Sequence, residues 1–262
     1  MIKVRPQFRN QIWGNKKINE IFGIKEGKIG EIWLVSGHPL FTTLVDGKDI
    51  NEISESLCGE KFERFPLLVK LISTSDWLSL QVHPDDEYAK MVEDEPWGKN
   101  EAWYFLSDGE IAICEEPSLI PRAVKEGNWQ GILKILKVKK GTFVNIPAGV
   151  IHALGPNSTV IEVQQSSDLT YRIYDWGRPR ETHLKKALEV AKSVKFKDLF
   201  FDRIDTKYFK MDVVKNCKIN GFSIVVPKKI DKNFGASIIP RGFKEDIYDS
   251  IVIRLGEFFL NS

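Results

Sequence analysis

The chain has 262 residues, a formal net charge of +2 at pH 7, 42% hydrophobic residues and 28% charged residues. These values are ordinary for a folded protein of one large or two modest domains, and mixed charges of this kind do not imply a basic surface for nucleic acid. No apolar run approaches the ~20 residues that cross a bilayer, so we expect no membrane partner. The three cysteines are widely spaced and odd in number, which predicts unpaired thiols and a cytoplasmic location.

The first third of the chain contains two predicted strands and a helix between them. Alternating apolar and polar residues predict a strand over 29–36, and a nearly continuous apolar run predicts a buried strand over 65–72. Apolar residues with helical spacing predict a helix from Asp49 to Leu57. His38, in the loop after the first strand, matches no ligand pattern and is interpreted as a surface histidine.

The most informative strand carries Gln81 and His83. Residues two apart on a strand point to the same face, so these two side chains project together. Pro84 cannot donate to a sheet ladder and ends the strand, after which Asp85 or Asp86 can cap a short helix over 87–92.

A second strand, predicted over 101–106, begins with Glu101 close to where the previous strand ends. A Gln oxygen, a His nitrogen and a Glu oxygen would thus converge from two neighbouring strands. Oxygen and nitrogen ligands without a thiolate suit zinc or another divalent first-row ion. A polar strand end that faces solvent is the alternative interpretation of this stretch alone.

Short elements fill the next part of the chain. Residues 109–114 are predicted to continue the first sheet, and short helices are predicted over 118–126, with Ser118 as its cap, and over 129–133. Strands are predicted over 134–138, 158–164 and 170–174. A longer helix is predicted from Glu181 to Lys192, and His183 on it is interpreted as a second surface histidine.

Residues 141–152 form a strand, a tight turn and a second strand that carries His152. Pro147 fixes φ in the turn and Gly149 permits a positive φ. The spacing from Gly141 through Pro147 and Gly149 to His152 resembles the second metal motif of the cupin superfamily. An ordinary hairpin with a chance histidine is the alternative.

Taken together, these stretches resemble the type I, zinc-dependent mannose-6-phosphate isomerases in their short bacterial form. The resemblance extends from roughly Arg9 to Val190 and is weak after Asp205. The matching segments are Phe65-Pro66-Leu67-Leu68-Val69-Lys70, Leu78-Ser79-Leu80-Gln81-Val82-His83-Pro84-Asp85-Asp86, Gly98-Lys99-Asn100-Glu101-Ala102-Trp103-Tyr104, the turn from Pro147 to His152, and Glu162-Val163-Gln164-Gln165-Ser166-Ser167-Asp168-Leu169-Thr170-Tyr171-Arg172.

The resemblance implies a metal site, a reaction and a set of catalytic residues. One Zn²⁺ per chain would be held by Gln81, His83, Glu101 and His152. The reaction would interconvert mannose 6-phosphate and fructose 6-phosphate through an enediol(ate), with a phosphorylated hexose as the substrate. Arg172 matches the family's catalytic arginine, and its permanent charge suits a phosphate or a developing enediolate; a structural ion pair with Asp168 or Asp175 is the alternative. Lys99, Glu162 or Asp168 could move the proton, and the sequence does not choose among them; Lys99 could also be a solvated turn lysine.

Many short strands separated by turns imply a sandwich or a barrel. We therefore expect a mainly β fold, a cupin jelly-roll β-barrel with a few helices, as a catalytic domain over residues 1–204. Short strands after Asp205 predict a small C-terminal β domain over 205–262, either a shortened second cupin or a module completed by a partner chain. We expect the chemistry to lie before Asp205.

Two other functions are consistent with a cupin. A cupin-type glucose-6-phosphate isomerase would prefer a His-x-His motif where this chain has Gln81 and His83. A non-catalytic metal- or sugar-binding cupin would have no use for Lys99 and Arg172 beside the ligand set.

Overall fold

The computed structural model describes residues 1–260, which form a mainly β protein with short helices. The strands are β1 (Ile2–Lys3), β2 (Gln7–Asn10), β3 (Ile29–Ser36), β4 (Leu44–Val45), β5 (Lys48–Asp49), β6 (Leu67–Ser73), β7 (Leu80–Val82), β8 (Glu101–Phe105), β9 (Gly109–Cys114), β10 (Leu133–Val138), β11 (Phe143–Ile146), β12 (Ile151–Leu154), β13 (Thr159–Gln165), β14 (Tyr171–Tyr174), β15 (Phe200–Phe201), β16 (Ile204–Asp205), β17 (Phe209–Asn220), β18 (Ser223–Pro227), β19 (Ser237–Ile239) and β20 (Lys244–Leu255). The α-helices are α1 (Lys16–Phe22), α2 (Ser54–Cys58), α3 (Asp86–Glu93), α4 (Ile120–Glu126) and α5 (Leu184–Val190), and 3₁₀ turns span Pro117–Leu119, Phe196–Leu199 and Glu257–Phe259. The predicted mainly β architecture is confirmed.

Three antiparallel sheets build the molecule. A seven-stranded sheet has the order β15-β11-β8-β13-β6-β3-β2, and a five-stranded sheet has the order β10-β9-β12-β7-β14. A six-stranded sheet, β1-β19-β18-β20-β17-β16, follows, and β4 and β5 form a separate two-stranded ribbon. Most neighbours are far apart in sequence, as in a jelly roll, so the chain crosses repeatedly between the first two sheets.

The seven- and five-stranded sheets face each other across a shared apolar core. Trp103 and Phe105 of β8 pack in one buried cluster with Ile111 and Ile113 of β9. The prediction that the Gln81–His83 strand and the Glu101 strand are neighbours is wrong, because β7 and β8 belong to different sheets. Both edges of β8 are already paired, with β11 and β13, so its side chains meet those of β7 across the interior.

The six-stranded sheet gathers the C-terminal residues around the long pair β17 and β20. Its other members include β1 from the N-terminus, paired with β19. One buried cluster joins this sheet to the seven-stranded sheet and contains, among others, Val69, Leu71, Phe209 and Phe259. The division into domains at residue 205 stays a prediction. A boundary at that position would divide this buried cluster, which contains residues from both sides of it.

The helix predictions are correct in part. The helix predicted over 87–92 is α3, and the Asp85 carboxylate caps it by accepting a hydrogen bond from the Tyr88 backbone N–H at 3.1 Å. The helix predicted over 129–133 is wrong, because Asn128 accepts a hydrogen bond from Gln130 N and Gly131 has φ +73°, which make a turn. Several other elements differ from the predicted ones at their ends: α2 and α5 are shorter than predicted, and Ser118 caps no helix. Among the described residues, no helix has the length and apolar character that a membrane crossing requires.

The turn between β11 and β12 orients both predicted histidine ligands. Gly149 has φ +94°, its N–H donates to the carbonyl of His83 at 2.9 Å, and its own carbonyl accepts from Lys192 N at 2.9 Å. A Cβ at Gly149 would lie 2.8 Å from the Lys192 side chain and 3.0 Å from the Val190 carbonyl oxygen. The turn therefore requires glycine both for its φ and for its close packing.

We expect Gly149→Ala to destabilise the protein more than the matched variant Gly141→Ala. Both positions have positive φ, a strain worth on the order of 1–3 kcal/mol for a non-glycine residue. At position 149 the alanine Cβ would also be too close to neighbouring atoms, whereas a Cβ at position 141 meets nothing within 4 Å. Urea titrations of the two variants give the comparison, and equal losses in the free energy of unfolding would contradict it.

Candidate metal centre

His83 follows β7 directly and is buried at 1% exposure. Its Nδ1 lies 2.8 Å from the carbonyl oxygen of Leu169. Because a carbonyl only accepts hydrogen bonds, Nδ1 carries the proton of the neutral ring and the lone pair is on Nε2. Burial, followed by the charge of Lys99, lowers the pKa of His83 to about 3, so the ring is neutral at neutral pH and able to bind a metal.

His152, on β12, has the same arrangement. Its Nδ1 lies 2.9 Å from the carbonyl oxygen of Val150, which again leaves Nε2 as the free nitrogen. The His152 and His83 rings lie 5.1 Å apart between centroids, and the Trp103 and His152 rings pack edge to face with their centroids 5.5 Å apart. Backbone carbonyls thus orient both imidazoles before any ligand binds.

Glu101, the first residue of β8, is fully buried between the two histidines. Its Oε1 lies 3.0 Å from His152 Nε2, and its Oε2 lies 3.5 Å from His83 Nε2. Burial by itself raises the pKa of Glu101, but Lys99, His83 and His152 together outweigh burial and hold the pKa well below its usual range. The carboxylate is therefore ionised within the core.

This donor set fits a metal ion. One donor atom from each of His83, Glu101 and His152 lies within 4.8 Å of the others. Both Glu101 oxygens and His152 Nε2 are buried without a hydrogen bond of acceptable geometry. Unshared pairs that face one another in a buried site repel unless a cation lies between them. Two imidazoles and a carboxylate are ligands typical of zinc.

Gln81 lies beside His152 in the five-stranded sheet. It is the register partner of His152 on one side and of Arg172 on the other. Side chains directly opposite on antiparallel strands share a face, so these three form a row across the sheet. The Gln81 Oε1 accepts a hydrogen bond from the Ser79 hydroxyl at 3.1 Å. That Gln81 completes the ligand set stays a prediction.

Lys99 contacts the centre directly. Its Nζ lies 2.8 Å from Glu101 Oε2 and 3.1 Å from His83 Nε2, and the residue is buried at 5% exposure. Its backbone N–H donates to the Pro84 carbonyl, which ties the loop before β8 to the end of β7. Lys99 is therefore no solvated turn residue.

A cavity of about 290 Å³ lies above the centre and is lined by polar and charged side chains. Five of the predicted residues line it: Gln81, Lys99, Glu162, Asp168 and Arg172. A larger cleft of about 790 Å³ near Phe62 and Trp97 contains none of them, so we place the chemistry in the smaller cavity.

Glu162, on β13, lies in a buried polar cluster at the cavity wall. Its Oε2 accepts a hydrogen bond from Trp103 Nε1 at 2.8 Å, and its Oε1 lies 3.1 Å from Lys70 Nζ. Burial lowers the pKa of Lys70, but the carboxylates of Glu162, Glu31 and Glu101 together more than compensate, and the pKa is raised. Glu162 and Lys70 are register partners on β13 and β6, so they form a cross-strand ion pair.

Arg172, on β14, enters the cavity from the opposite sheet. Its Nη1 donates to the Glu181 carbonyl oxygen at 2.7 Å, while its Nε is buried without a hydrogen-bond partner. Burial, followed by the charge of Arg180, lowers the pKa of Arg172. Among the ion pairs of residues 1–260, none joins Arg172 to a carboxylate, so the predicted alternative of a pair with Asp168 or Asp175 is wrong.

Comparisons with known proteins show the family of this chain. The model of the phosphomannose isomerase type I catalytic domain matches residues 1–114. A Bacillus subtilis protein described as a "probable mannose-6-phosphate isomerase" is 37% identical over 210 residues, which cover 71% of this chain and 67% of that relative. The chain belongs to the type I phosphomannose isomerase family.

Solved structures of this family share the fold. The crystal structure of mannose 6-phosphate isomerase from Bacillus subtilis superposes with a TM-score of 0.79 at 27% identity, covering 96% of this chain and 98% of that one. A zinc-bound mannose 6-phosphate isomerase superposes with a TM-score of 0.70 at 14% identity, covering 97% and 99%, and shows the fold alone. The predicted cupin-like fold is confirmed.

The structure adds two cavity residues that the sequence analysis missed, Lys70 and Arg180. The signal for Lys70 was present, because a lysine interrupts the apolar strand over 67–73. Arg180 follows β14 in a loop and carried no comparable signal.

The interpretation of His38 as a surface residue is wrong: it is buried at 5% exposure, and its Nε2 lies 3.4 Å from Asp168 Oδ1. His183 is partly buried at the start of α5, where its Nδ1 accepts from Arg172 N.

We expect His152→Ala to lose metal. Mutation of a residue that only hydrogen-bonds to a metal ligand already lowers metal affinity by about 10- to 100-fold. Removal of a ligand itself should therefore lower zinc affinity at least about a hundredfold. Zinc content after dialysis against buffers of defined free zinc measures the effect. His183→Ala, which removes a histidine outside the cluster, is the control and should retain zinc; wild-type zinc content in His152→Ala would contradict the assignment.

Proposed function

We propose that this chain is a zinc-dependent aldose–ketose isomerase that interconverts mannose 6-phosphate and fructose 6-phosphate through an enediol(ate). One observation carries the proposal: two buried histidine nitrogens and a buried carboxylate converge beside a cavity lined with cations. Relatives named as mannose-6-phosphate isomerases support the choice of substrate. The proposal includes a cytoplasmic location and a phosphorylated hexose as the ligand, with no nucleic-acid or membrane partner.

We assign one Zn²⁺ per chain to His83, Glu101 and His152, with Gln81 as the fourth ligand. When bound, the ion supplies a Lewis acid that polarises a carbonyl or hydroxyl of the sugar. A single carboxylate among otherwise neutral ligands neutralises only part of a divalent charge, which preserves that acidity.

The protein side chains then have to move one proton between two carbons. The C2–H bond breaks and a C1–H bond forms by way of the enediol(ate), while the proton of the C2 hydroxyl passes to the C1 oxygen, so that C1 becomes the alcohol and C2 the ketone. Glu162 faces the cavity as a carboxylate and is our candidate for accepting and returning that proton. Lys99, beside the centre, can donate a hydrogen bond to the oxygen on which negative charge develops.

Arg172 is assigned to the charge of the transition state. Its guanidinium lies on the opposite sheet from Glu162 and has donors that no carboxylate occupies. An arginine keeps its charge throughout the reaction and can stabilise an enediolate without a proton transfer of its own.

Isomerase assays with and without a chelator test the function. The zinc-loaded protein should convert mannose 6-phosphate to fructose 6-phosphate, lose this activity in a chelator, and regain it with added zinc. Turnover of glucose 6-phosphate instead would indicate the other cupin isomerase, and turnover of neither sugar phosphate would indicate a binding protein.

We expect Arg172→Ala to lower turnover at least about a hundredfold, the typical cost of one well-aimed donor to a developing oxyanion. Zinc content and melting temperature should stay at wild-type values, because Arg172 is not a metal ligand in this proposal. Lys244→Ala, at the exposed start of β20, is the control with normal kinetics.

Other outcomes for Arg172→Ala identify other roles. A raised Michaelis constant with normal turnover means that Arg172 binds the ground state and the transition state equally. A lowered melting temperature with normal activity of the folded fraction means a structural role. Normal values of all these quantities would remove Arg172 from the catalytic set.

A further inference from the structure

Two arginines share one buried aspartate beside the cavity. Asp175 is 3% exposed. Arg180 donates to it with Nε at 2.6 Å and Nη2 at 2.7 Å, and Arg178 donates with Nη2 at 2.7 Å. Arg172 lies close enough that the Arg180 charge, after burial, lowers its pKa. Three guanidiniums thus face two carboxylates, Asp175 and the Asp76 that Arg178 also contacts, which leaves a local surplus of positive charge.

Arg178 has a structural role, because its donors are occupied by the protein. Its Nη1 lies 3.1 Å from Asp76 Oδ2, its Nη2 also donates to the Trp77 carbonyl at 2.6 Å, and its Nε donates to the Asp175 carbonyl at 3.2 Å. These bonds join the turn after β14 to the chain that enters β7.

Arg180 differs from Arg178 in its position and in the number of its donors that the protein occupies. It lines the cavity, as Arg172 does. Asp175 engages only its Nε and Nη2, whereas a guanidinium has five N–H donors in a rigid fork. A guanidinium held by a carboxylate along one edge is pre-organised to bind an anion with its remaining donors.

The other cations of the cavity wall have counter-charges close by. Lys70 Nζ lies 3.1 Å from Glu162, and Lys99 Nζ lies 2.8 Å from Glu101. Arg9 is the register partner of Glu31 and stacks over the Trp33 ring at 4.4 Å. The surplus positive charge is therefore concentrated where Arg172 and Arg180 line the wall.

The position of this charge suits the far end of a hexose phosphate. In the row His152, Gln81, Arg172, the outer residues are two strand spacings apart, or about 10 Å. Five C–C bonds of roughly 1.5 Å place C6 about 6 Å from C1. A sugar with C1 and C2 at the metal centre would thus extend its C6 substituent towards the arginines.

We propose that Arg180, oriented by Asp175 and flanked by Arg172, binds the phosphate group of the substrate. The identity of the phosphate ester rests on the proposed function, whereas the anion site itself does not. Arg180 is in this view a specificity residue, which selects phosphorylated over free sugars and has no part in the proton transfer.

Calorimetric titration with inorganic phosphate tests the anion site directly. In the zinc-loaded protein at fixed ionic strength, Arg180→Gln should weaken phosphate binding at least about tenfold, as expected for loss of a charge-assisted hydrogen-bond pair. Arg178→Gln is the matched control on the same aspartate and should bind phosphate within about twofold of wild type. If Arg178→Gln lowers the melting temperature, Arg241→Gln, at an exposed arginine in the turn between β19 and β20, replaces it.

Wild-type phosphate affinity in a folded Arg180→Gln protein would overturn the assignment, and so would an equal loss in the folded control. Kinetics then separate this inference from the proposed function. For mannose 6-phosphate, Arg180→Gln should raise the Michaelis constant at least about tenfold with a smaller change in turnover. A wild-type protein that binds phosphate through Arg180 but isomerises no sugar phosphate would refute the function alone. If the enzyme is active and Arg180→Gln changes neither the Michaelis constant nor the phosphate affinity, the anion site alone is refuted.

Discussion

A carboxylate and two imidazole nitrogens meet in the interior of this protein with their lone pairs facing one another. Glu101 contributes both oxygens, and neither forms a hydrogen bond of acceptable geometry. An ionised carboxylate in the core is costly unless positive charge lies against it. The Lys99 ammonium at 2.8 Å supplies part of that charge, and the donor geometry suits a metal for the rest. The segments that carry these side chains must be rigid enough to maintain this arrangement.

A polar network around Asp86 supplies that rigidity. Its Oδ1 accepts from Gly98 N at 2.9 Å and from Gln165 Nε2 at 2.8 Å, which fixes the loop that carries Lys99. Asn100 extends the network, since its side-chain oxygen accepts from Ala148 N in the turn before His152. Tyr208, from the chain that enters the C-terminal sheet, donates to Asp86 Oδ2 at 2.7 Å. Burial and this hydrogen bond raise the pKa of Tyr208, so it remains a donor at neutral pH. The C-terminal sheet can thus support the centre without contributing a ligand to it.

The parts of the site that the sequence predicted depend on local signals. Pro84 ends the strand directly after Gln81 and His83, and the Pro147–Gly149 turn directly precedes the strand that carries His152. Both motifs could therefore be located from residue types alone. Partners across the interior depend on long-range strand pairing, which periodicity does not encode. For that reason β7 and β8 were predicted as neighbours, although they lie in opposite sheets. The sequence analysis missed the burial of His38 and the position of Arg180 for the same reason. Both residues lie in loops, and the contacts of a loop residue depend on how the sheets pack around it.

The cavity also distributes its charges unequally along its length. Near the centre, the two lysines are each paired with a carboxylate, so the buried charges there largely cancel. Towards β14, arginines outnumber the carboxylate that they share. Lysine is a compact point charge that a single carboxylate can neutralise, whereas a guanidinium bound along one edge keeps donors for a second anion. An elongated anionic substrate would therefore bind in one direction, with its charged end at the arginines and its reactive end at the metal ligands. Reversal would move the charged end away from the unoccupied guanidinium donors, to lysines that Glu101 and Glu162 already pair.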